Sequence, residues 1–350
     1  MNALRRQAPR PLSVAPMLDL TDRHIRYLLR GITRSTLLYS EMVTANAAVH
    51  GDRERLLAFS PVESPVVLQL GGDDPDLLAR AALIGVEHGY AEINLNVGCP
   101  SNRVTSGNFG ACLMKDPVRV AASVAAMRDA VDVPVTVKHR LGVDEQESFE
   151  EMLAFVDTVT GAGADAFIVH ARKAWLKGLS PKENRTIPPL RYDFVYRLKE
   201  ERPELVVELN GGVPDLTSAR EHLALVDGVM LGRAVYENPF VLVGADDLIS
   251  QAGDGEAAPP LARTRRAVVE GMYDYTEERL RAGAPLNAIS RHLLSLFHGR
   301  PGGKAWRRVI SERANKKGAG VEVLVAALDA LPPGVADEPL RPTAASTPAR

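Results

Sequence analysis

Eight short apolar segments alternate with longer amphipathic segments over the first 240 residues, and this alternation is the strongest constraint on the fold. The short segments have the length and composition of buried strands, and the longer ones have the apolar spacing of helices, as in repeated βα units. The predicted strands are residues 12–17, 37–40, 66–70, 91–95, 133–138, 166–170, 205–209 and 228–231. This pattern predicts an α/β fold, a (β/α)8 TIM barrel, with its active face at the carboxyl ends of the strands.

A small helical domain is expected to follow the barrel. Residues 1–245 form the catalytic barrel in this interpretation, and the proline-ended stretch 246–260 is a linker. Residues 261–332 show the periodicity of a helical bundle, with helices predicted at 261–282, 286–297 and 304–314. The tail, residues 333–350, is expected to be disordered because it is rich in Pro, Ala, Thr and Ser and has little apolar content.

Charge is divided unevenly along the chain. The net charge is −2, but residues 261–320 hold thirteen basic and five acidic side chains, a net +8, which leaves −10 for the rest. A basic module on an acidic body favours a polyanionic partner that binds on one side. A solvated helical face would give the same pattern, so charge alone leaves both interpretations open.

Cysteine use and hydropathy indicate the compartment. Cys99 and Cys112 have a spacing that fits neither a disulfide scaffold nor a zinc site, so we expect a reducing cytoplasm and no metal. No apolar run approaches the roughly 18 residues of a membrane span, and residues 1–11 lack the apolar core of a signal peptide. The protein is therefore expected to be cytoplasmic, with no membrane partner.

Cys99 lies in the segment Glu92-Ile-Asn-Leu-Asn-Val-Gly-Cys-Pro100, where an alternating strand ends in a turn. Gly98 and Pro100 stop the strand, which leaves the thiol on a loop beyond its carboxyl end. Free cysteine commonly packs as a small hydrophobe. Here two asparagines and the turn-forming residues surround the thiol with hydrogen-bonding groups, which suit a substrate better than a core. The loop is therefore predicted to carry a reactive group.

Side chains able to bind a ligand recur where the predicted strands end. Asn210-Gly211-Gly212 follows the seventh strand and Gly232-Arg233 follows the eighth, which are the two loops that commonly hold a phosphate in this fold. Glycine lets backbone N–H groups approach an anion, and Arg233 can add a paired charge. The residues expected to converge at this face are Met17, Gln69, Asn96, Lys138, His170, Asn210 and Arg233. They predict a phosphate-bearing cofactor.

Lys138 ends a predicted strand with buried neighbours, so its ammonium needs an anionic or electron-rich partner. An isoalloxazine ring is such a partner, because a cation beside its N1/O2 edge stabilises the negative charge of the reduced flavin. Gln69 is a candidate for the pyrimidine edge of the ring, and His170 for the ring or its phosphate. A neutral imidazole bonded to the backbone is the structural alternative for His170. A Schiff-base role for Lys138 also stays open.

These residues belong to nine segments: Ala15-Pro-Met-Leu-Asp19, Gln69-Leu-Gly-Gly72, Glu92-Ile-Asn-Leu-Asn-Val-Gly-Cys-Pro-Ser101, Gly107-Asn-Phe-Gly-Ala-Cys-Leu-Met114, Val135-Thr-Val-Lys138, His170-Ala-Arg-Lys173, Leu179-Ser-Pro-Lys-Glu-Asn-Arg185, Asn210-Gly-Gly212 and Leu231-Gly-Arg-Ala234. Through them the chain resembles the tRNA-dihydrouridine synthase family between residues 12 and 331. The stretch from Lys177 to Arg185 resembles the branch that acts at positions 20 and 20a of the tRNA D-loop.

The resemblance implies FMN as cofactor, NADPH as electron source, and tRNA as substrate and partner. We expect the protein to act as a monomer. Cys99 would be the catalytic proton donor to C5 of the uracil while C6 receives hydride, a role that suits a thiol because it is mostly protonated near neutral pH. The implied FMN-binding residues are Pro16, Met17, Leu18, Gln69, Lys138, His170, Asn210, Gly211, Gly212, Gly232 and Arg233. The implied tRNA-binding residues are Asn96, Lys182, Arg185, Arg307 and Arg308.

One departure from the family pattern is His139, where a small polar or apolar residue is expected between Lys138 and Arg140. Because both flanking cations are kept, the departure is expected to affect only the fine tuning of the flavin pocket.

Two other functions remain as alternatives. The first is an FMN-dependent reductase or dehydrogenase of small pyrimidines, against which the basic module argues. The second is a non-catalytic RNA-binding protein with a degenerate barrel, against which the presence of both Cys99 and Lys138 argues.

Overall fold

The computed structural model describes residues 11–101, 107–251 and 263–342, and its centre is a closed barrel of parallel strands. The strands are β1 Leu12–Val14, β2 Leu37–Thr44, β3 Val66–Gly71, β4 Glu92–Val97, β5 Val135–Arg140, β6 Ala166–His170, β7 Val207–Asn210 and β8 Gly228–Leu231. Each strand pairs with the next, and β8 closes on β1 with Leu12 opposite Val229 and Val14 opposite Leu231. The predicted (β/α)8 fold class is confirmed.

Helices surround the barrel and are started by the capping residues that the sequence provides. Asp74 and Asp116 cap two of them with their side chains and are followed by Pro at the first helical position, and Ser148 with Glu151 forms a capping box on a third. The helices of this layer are α1 Arg23–Arg30, α2 Ala45–His50, α3 Arg53–Leu57, α4 Pro75–Glu87, α5 Pro117–Ala130, α6 Phe149–Gly161, α7 Tyr192–Glu201, α8 Leu216–Leu223 and α9 Arg233–Glu237.

The main hydrophobic core lies between the outer face of the barrel and this helical layer. The packing is close at Gly85 in α4, where an added Cβ would lie 2.6 Å from Leu68 Cδ2 and 3.0 Å from Ile93 Cδ1. Glycine at this position therefore lets α4 lie directly on β3 and β4. A second, smaller cluster fills the inside of the barrel around Tyr39 and Ile168.

Several strands differ from the predicted bounds at their ends. The sequence prediction ends β5 at Lys138, but the pairing with β6 continues until Arg140 lies opposite His170. Lys138 is therefore two residues inside the strand. The prediction missed this because Lys138-His139-Arg140 is polar, and a polar run at a strand end resembles a loop.

The carboxyl-terminal region is helical, as predicted, but its helices are shorter and more numerous. Its helices are α10 Ala245–Gln251, α11 Arg265–Glu270, α12 Tyr273–Arg281, α13 Leu286–Ser290, α14 Gly303–Arg313 and α15 Glu322–Asp329. The single helix predicted at 261–282 is α11 plus α12, because the α-helical pattern is interrupted at Gly271 and Met272, where Met272 N–H donates to Val269 O, an i→i−3 bond. Of the helix predicted at 286–297, residues Arg291–Leu293 form a 3-10 turn. The prediction did not include α15.

The predicted linker and tail are partly ordered, which corrects both expectations. Residues 246–251 belong to α10, where Asp246 accepts hydrogen bonds from the backbone of Arg34 and Ser35. In the tail, Val335 and Ala336 are buried, and Asp337 pairs with Arg266 of α11 at 2.6 Å. A second ion pair joins Glu338 to Arg300 at 3.1 Å, so two apolar side chains and two ion pairs hold the tail to the helical region. Residues 252–260 of the linker and 343–350 of the tail lie outside the described residues.

Within the described ranges, no helix combines the length and hydropathy needed to cross a bilayer.

Candidate active site

The residues predicted to form the active face meet at the carboxyl end of the barrel. Strand register places Asn96 opposite Lys138, Arg140 opposite His170, and His170 opposite Asn210. Asn96 and Lys138 are neighbours in register, and Lys138 Nζ donates to Asn210 Oδ1 at 3.0 Å, so these three side chains share the inner face at the barrel mouth. The predicted convergence is therefore observed, while the role of each residue stays a prediction.

A chain of hydrogen bonds runs up the inside of the barrel to this face. Thr136 donates to Glu92 at 2.6 Å, and Asn94 donates to Thr136 at 2.9 Å. Gln69 then donates to Asn94, and Asn96 donates to Gln69, both at 2.8 Å. Because a buried amide without a partner is costly, this chain fixes the orientation of each side chain. It leaves Asn96 directly beneath the Cys99 loop.

Asn96 supports the Cys99 loop from below. Its side-chain oxygen accepts hydrogen bonds from the backbone N–H groups of Gly98 at 3.1 Å and Cys99 at 3.0 Å. Asn96 is 9% exposed, so in this structure its amide positions the loop. Cys99 O accepts from Ala111 N at 2.9 Å, which fixes the loop on its other side. The partly buried thiol lies 3.4 Å from Ser101 Oγ, and residues 102–106 lie outside the described residues.

Arg140 is a site residue to which the sequence analysis gave no role. Its side chain is buried and donates from Nε to Gly98 O at 3.1 Å, and from Nη1 to Asn184 O at 2.8 Å and Lys173 O at 3.3 Å. One guanidinium therefore joins the Cys99 loop to the loop after β6. Burial lowers the pKa of Arg140 to about 10, so the group stays charged at neutral pH. If the predicted β5 had included residue 140, the alternation of side chains along the strand would have placed Arg140 on the same face as Lys138 and identified it as a site residue.

Lys138 is buried at the barrel mouth, and its burial lowers the pKa of its ammonium group. Its Nζ donates to Asn210 Oδ1 at 3.0 Å, and Asn210 Nδ2 in turn donates to Met230 O at 2.8 Å. Desolvation, with a contribution from the charge of Arg140, lowers the pKa of Lys138 to about 7. An ammonium carries three donors, so Lys138 can still donate to a ligand in the barrel mouth.

His170 and the glycines after β7 pack too closely for larger residues. Gly211 has φ +113°, and a Cβ there would lie 2.6 Å from His170 Cδ2. Gly212 has φ +74°, and a Cβ there would lie 2.8 Å from the Tyr192 hydroxyl, which donates to Gly211 O. Burial, followed by the charges of Arg140 and Lys138, holds the pKa of His170 well below its usual value. The imidazole is therefore neutral, and the close side chains together with the positive φ angles make glycine necessary at both positions.

Three further arginines lie around this backbone. Arg233 Nη2 lies 3.4 Å from Arg185 O, and Arg172 Nη1 lies 3.3 Å from Thr186 O. Burial and the neighbouring charge of Arg233 lower the pKa of Arg185. Burial also lowers the pKa of Arg172, and Arg233 adds to this shift. These closely spaced positive charges repel one another and create a strongly positive potential at the barrel mouth. Such a potential favours binding of an anion, for example a phosphate.

The loop after β1 closes the mouth on the side of Gly232. Met17 N donates to Thr21 Oγ1 at 2.8 Å, and Thr21 N donates to Met17 O at 2.9 Å, so residues 17–21 form a tight turn. A Cβ on Gly232 would lie 3.9 Å from Met17 Sδ, which places this loop beside the loop after β8. Pro16 and Met17 are partly buried, and Leu18 is 60% exposed.

His139 lies away from the mouth, which corrects the expectation that it tunes the flavin pocket. Its side chain points outward from β5, and its ring packs 5.1 Å from Phe155 and 5.8 Å from Phe167. Burial lowers the pKa of His139 to about 4, so the ring is neutral. Alternation along β5 explains the difference, because Lys138 and Arg140 face inward and the residue between them faces the helices.

Lys182 and Arg185 lie on an exposed loop that Asn184 holds together. Asn184 is buried, accepts from Trp175 N at 2.7 Å and donates to Trp175 O at 2.9 Å. Since Arg140 also donates to Asn184 O, this loop is tied to the Cys99 loop. The two predicted RNA contacts are therefore exposed side chains on a rigid support.

Arg307 and Arg308 lie on α14, which has two distinct faces. Trp306, Val309 and Ile310 are buried on one side. Lys304, Arg307 and Arg308, at i, i+3 and i+4 spacing, lie on another side, which we call the α14 basic face. Between residues 263 and 342 none of these three forms an ion pair, whereas Arg266, Arg291 and Arg300 pair with acidic side chains. Only part of the positive charge of residues 261–320 is therefore free of ion pairs and able to bind a partner, and the α14 basic face belongs to that part.

The arrangement fits a flavin mononucleotide. The arginines around His170 fit its phosphate, because guanidinium groups pair with phosphate oxygens. Lys138 and Gln69 supply a cation and an amide at the depth where a ring would enter the barrel. Among the described residues, no group of three His, Cys, Asp or Glu side chains is arranged to hold a metal ion.

Cys99 is close enough to Lys138, Arg140 and Arg185 for its charge to affect the pKa of each. The Cys99 thiol therefore lies near the proposed flavin pocket, and Arg140 ties its loop to the exposed loop of Lys182 and Arg185. The arrangement can protonate a substrate held between that pocket and the loop.

Comparison with solved structures supports the fold. A 2-naphthoyl-CoA reductase in complex with 2-naphthoyl-CoA aligns with a TM-score of 0.50 over 66% of this chain and 49% of that chain. The sequences are 11% identical, so this likeness shows the shared architecture alone.

Comparison with curated sequences is more specific. A protein of Synechocystis sp. (strain PCC 6803) named tRNA-dihydrouridine(20/20a) synthase is 58% identical over 320 residues, 91% of this chain and 94% of the relative. Proteins of the same name from Escherichia coli (strain K12) and Shewanella oneidensis are 54% and 52% identical, over 90% of this chain and 90% and 92% of their own lengths.

Residues 13–331 match the family described as Dihydrouridine synthase (Dus), which covers the barrel and nearly all of the helical region. The members of this family are flavin-dependent oxidoreductases, so the hypothesis of a non-catalytic RNA-binding protein is wrong. With its barrel, its Cys99 loop and this match, the chain belongs to the dihydrouridine synthase family.

Proposed function

We propose that the protein is an FMN-dependent tRNA-dihydrouridine synthase that reduces the C5–C6 bond of uridines 20 and 20a in the D-loop, with NADPH as electron source. The observation that carries the proposal is the Cys99 loop, which Asn96 and Arg140 anchor beside Lys138 at the barrel mouth. The relatives named tRNA-dihydrouridine(20/20a) synthase support the choice of substrate and position. Such a reaction takes place in the cytoplasm, where tRNA matures.

The flavin would be held along the mouth of the barrel. Lys138 and Gln69 would contact the ring, with Asn210 keeping the ammonium in place. His170, Gly211, Gly212 and Arg233 would hold the phosphate, and the loop of Pro16, Met17 and Leu18 with Gly232 would cover the cofactor at the β1 side. When bound, the reduced flavin supplies the hydride that C6 of the uracil accepts.

Cys99 supplies the proton. Its Sγ transfers a proton to C5 of the uracil as C6 accepts hydride. The thiol thus acts as a general acid and becomes a thiolate. Lys138 and Arg140 lie close enough to interact with that thiolate, and their positive charges stabilise it. The anchored backbone of Cys99 keeps the thiol in the geometry for transfer.

RNA is recognised by phosphate contacts that offset the cost of extruding the base. Extruding a base costs a few kcal/mol, which contacts elsewhere on the tRNA must supply. In this proposal Lys182 and Arg185 would contact the target nucleotide and its neighbours, and the α14 basic face would contact a more distant backbone segment, since both sets are at least partly exposed. This division explains why one chain combines a catalytic barrel with a basic helix.

Reduction of a free pyrimidine is the remaining alternative. It requires a barrel mouth with a flavin and an acid, which the proposed site would provide, but it gives no role to the α14 basic face. The names of the relatives also favour tRNA over a small molecule. Whether tRNA or free uracil oxidises the reduced flavin separates the two functions.

The two cysteines provide a matched test of the acid. We expect Cys99→Ala to lower the rate of tRNA reduction about 10²–10⁴-fold, because general acid catalysis is removed, while flavin content and NADPH oxidation without tRNA stay normal. Cys112→Ala should leave all three unchanged, since its thiol bonds to Phe109 O. Dihydrouridine formation and flavin absorbance are the measurements. Equal losses of flavin in both variants would show that the thiols are only structural.

Lys138 makes flavin binding depend on pH. Its pKa of about 7 in the cofactor-free protein should rise when an electron-rich ring binds, so binding takes up a proton above pH 7. We expect FMN affinity to be flat as pH falls below that pKa, and to fall by up to about tenfold per unit as pH rises above it. Titration of cofactor-free protein with FMN from about pH 6.5 to about pH 9 measures this. Lys138→Met should bind more weakly with a flat profile, and an unchanged profile in that variant would assign the effect elsewhere.

The α14 basic face should govern tRNA affinity. We expect the double variant Arg307→Ala/Arg308→Ala to weaken tRNA binding with flavin content unchanged, and to reduce the salt slope of binding by roughly one for each phosphate that is no longer neutralised. Arg300→Ala is the control, because Arg300 pairs with Glu338 at 3.1 Å. Filter binding over a range of salt concentrations is the measurement. Equal weakening in the variant and the control would refute the assignment of this face to RNA.

A further inference from the structure

Asp22 joins the helical region to the catalytic face of the barrel, and the proposed reaction does not assign it a role. It is the N-cap of α1, where its Oδ1 accepts from His24 N at 2.9 Å and Ile25 N at 3.2 Å. Its other oxygen, Oδ2, accepts from Arg291 Nη2 at 2.5 Å and His292 Nε2 at 2.9 Å. One carboxylate therefore caps a barrel helix and binds two side chains of the helical region.

On the barrel side, Asp22 follows directly after the β1 loop proposed to cover the flavin. Thr21 closes that loop on Met17 through both its backbone and its hydroxyl, and is itself buried. The same segment of the helical region also contacts α9, because Ser295 Oγ donates to Tyr236 O at 3.3 Å and His292 packs 5.9 Å from the Tyr236 ring. Residues 291–295 thus touch the elements that follow β1 and β8.

On the other side, the junction leads to the α14 basic face. Trp306 Nε1 donates to Leu293 O at 2.9 Å, and its ring packs 4.7 Å from Phe297. Trp306 is fully buried, and it lies between Lys304 and Arg307 in the sequence of α14. A continuous set of direct contacts therefore runs from the α14 basic face through Trp306 and residues 291–293 to Asp22 and the β1 loop.

The electrostatics show that Asp22 is ionised in this junction. Burial alone would raise the pKa of Asp22, but the hydrogen bond and charge of His292, with the charge of His24 and the bond from Arg291, hold the pKa well below its usual value. The His292 side chain is buried, and the Asp22 side chain is 16% exposed. A charge-assisted contact of this kind fixes the geometry of both partners more strongly than a neutral one.

We propose that Asp22 is a positioning residue for RNA reduction: it fixes the helical region against the catalytic face, so that tRNA held on α14 presents its target uracil at Cys99. This inference rests on the proposed function and adds a residue that touches neither RNA nor flavin. Its effect is on alignment, because a displacement of about 1 Å at a reacting atom can lower a rate up to about 10²-fold.

Asp22→Asn tests the proposal, because Asn is as good an N-cap as Asp and keeps α1 while removing the charge. We expect kcat for tRNA reduction to fall on the order of tenfold, with tRNA Kd changed less than about twofold, and flavin content and NADPH oxidation without tRNA unchanged. Arg291→Gln should give the same split, and the double variant should be no slower than either single variant. Dihydrouridine should also form at neighbouring uridines more often than with the unchanged protein.

Asp337→Asn is the matched control, because Asp337 of the tail also forms an ion pair with an arginine of the helical region, Arg266 of α11. It should leave kcat unchanged. The proposal is overturned if Asp22→Asn behaves like this control, if it weakens tRNA binding alone, or if flavin content and all activities fall together with the melting temperature. Absence of tRNA reduction by the unchanged protein would instead refute the proposed function, so the two failures are distinguishable.

Discussion

The buried guanidinium of Arg140 is the interaction on which the geometry of the site depends. A charged group removed from water must find partners, and Arg140 finds them in the carbonyls of Gly98, Lys173 and Asn184. These carbonyls belong to the loop with the proposed acid and to the loop with the proposed RNA contacts. The need to satisfy one charge therefore sets the distance between proton donor and RNA loop, and neither loop can move without breaking a buried bond.

Hydrogen bonds inside the barrel also fix the position of the Cys99 loop. The hydrogen-bonded chain ends at Asn96, so the backbone of Cys99 rests on a polar network and not on apolar packing. Such a network has one fully satisfied arrangement, which makes the site rigid before any ligand binds. The helical region is fixed to the same end through Asp22. Contacts formed on folding therefore fix the Cys99 loop and the proposed RNA-binding surfaces relative to one another before RNA binds.

The sequence predicted the barrel and most of the site because both depend on local patterns. Alternation of apolar residues located the strands, and turn residues located Cys99, Gly211 and Gly212. Arg140 and Asp22 were missed because their partners are distant in the sequence, and a charged residue at a strand or helix end looks solvated. The folding of the first part of the tail was missed for the same reason, since it depends on contacts with α11.

Mapping of dihydrouridine in a defined tRNA tests the central claim most directly. An unmodified tRNA that lacks dihydrouridine would be incubated with the full-length flavin-loaded protein and NADPH, and each position of the D-loop would then be analysed. We expect dihydrouridine at positions 20 and 20a, and none with Cys99→Ala on the same time scale. Product at positions 16 or 17, or oxidation of NADPH with no dihydrouridine in the tRNA, would contradict it.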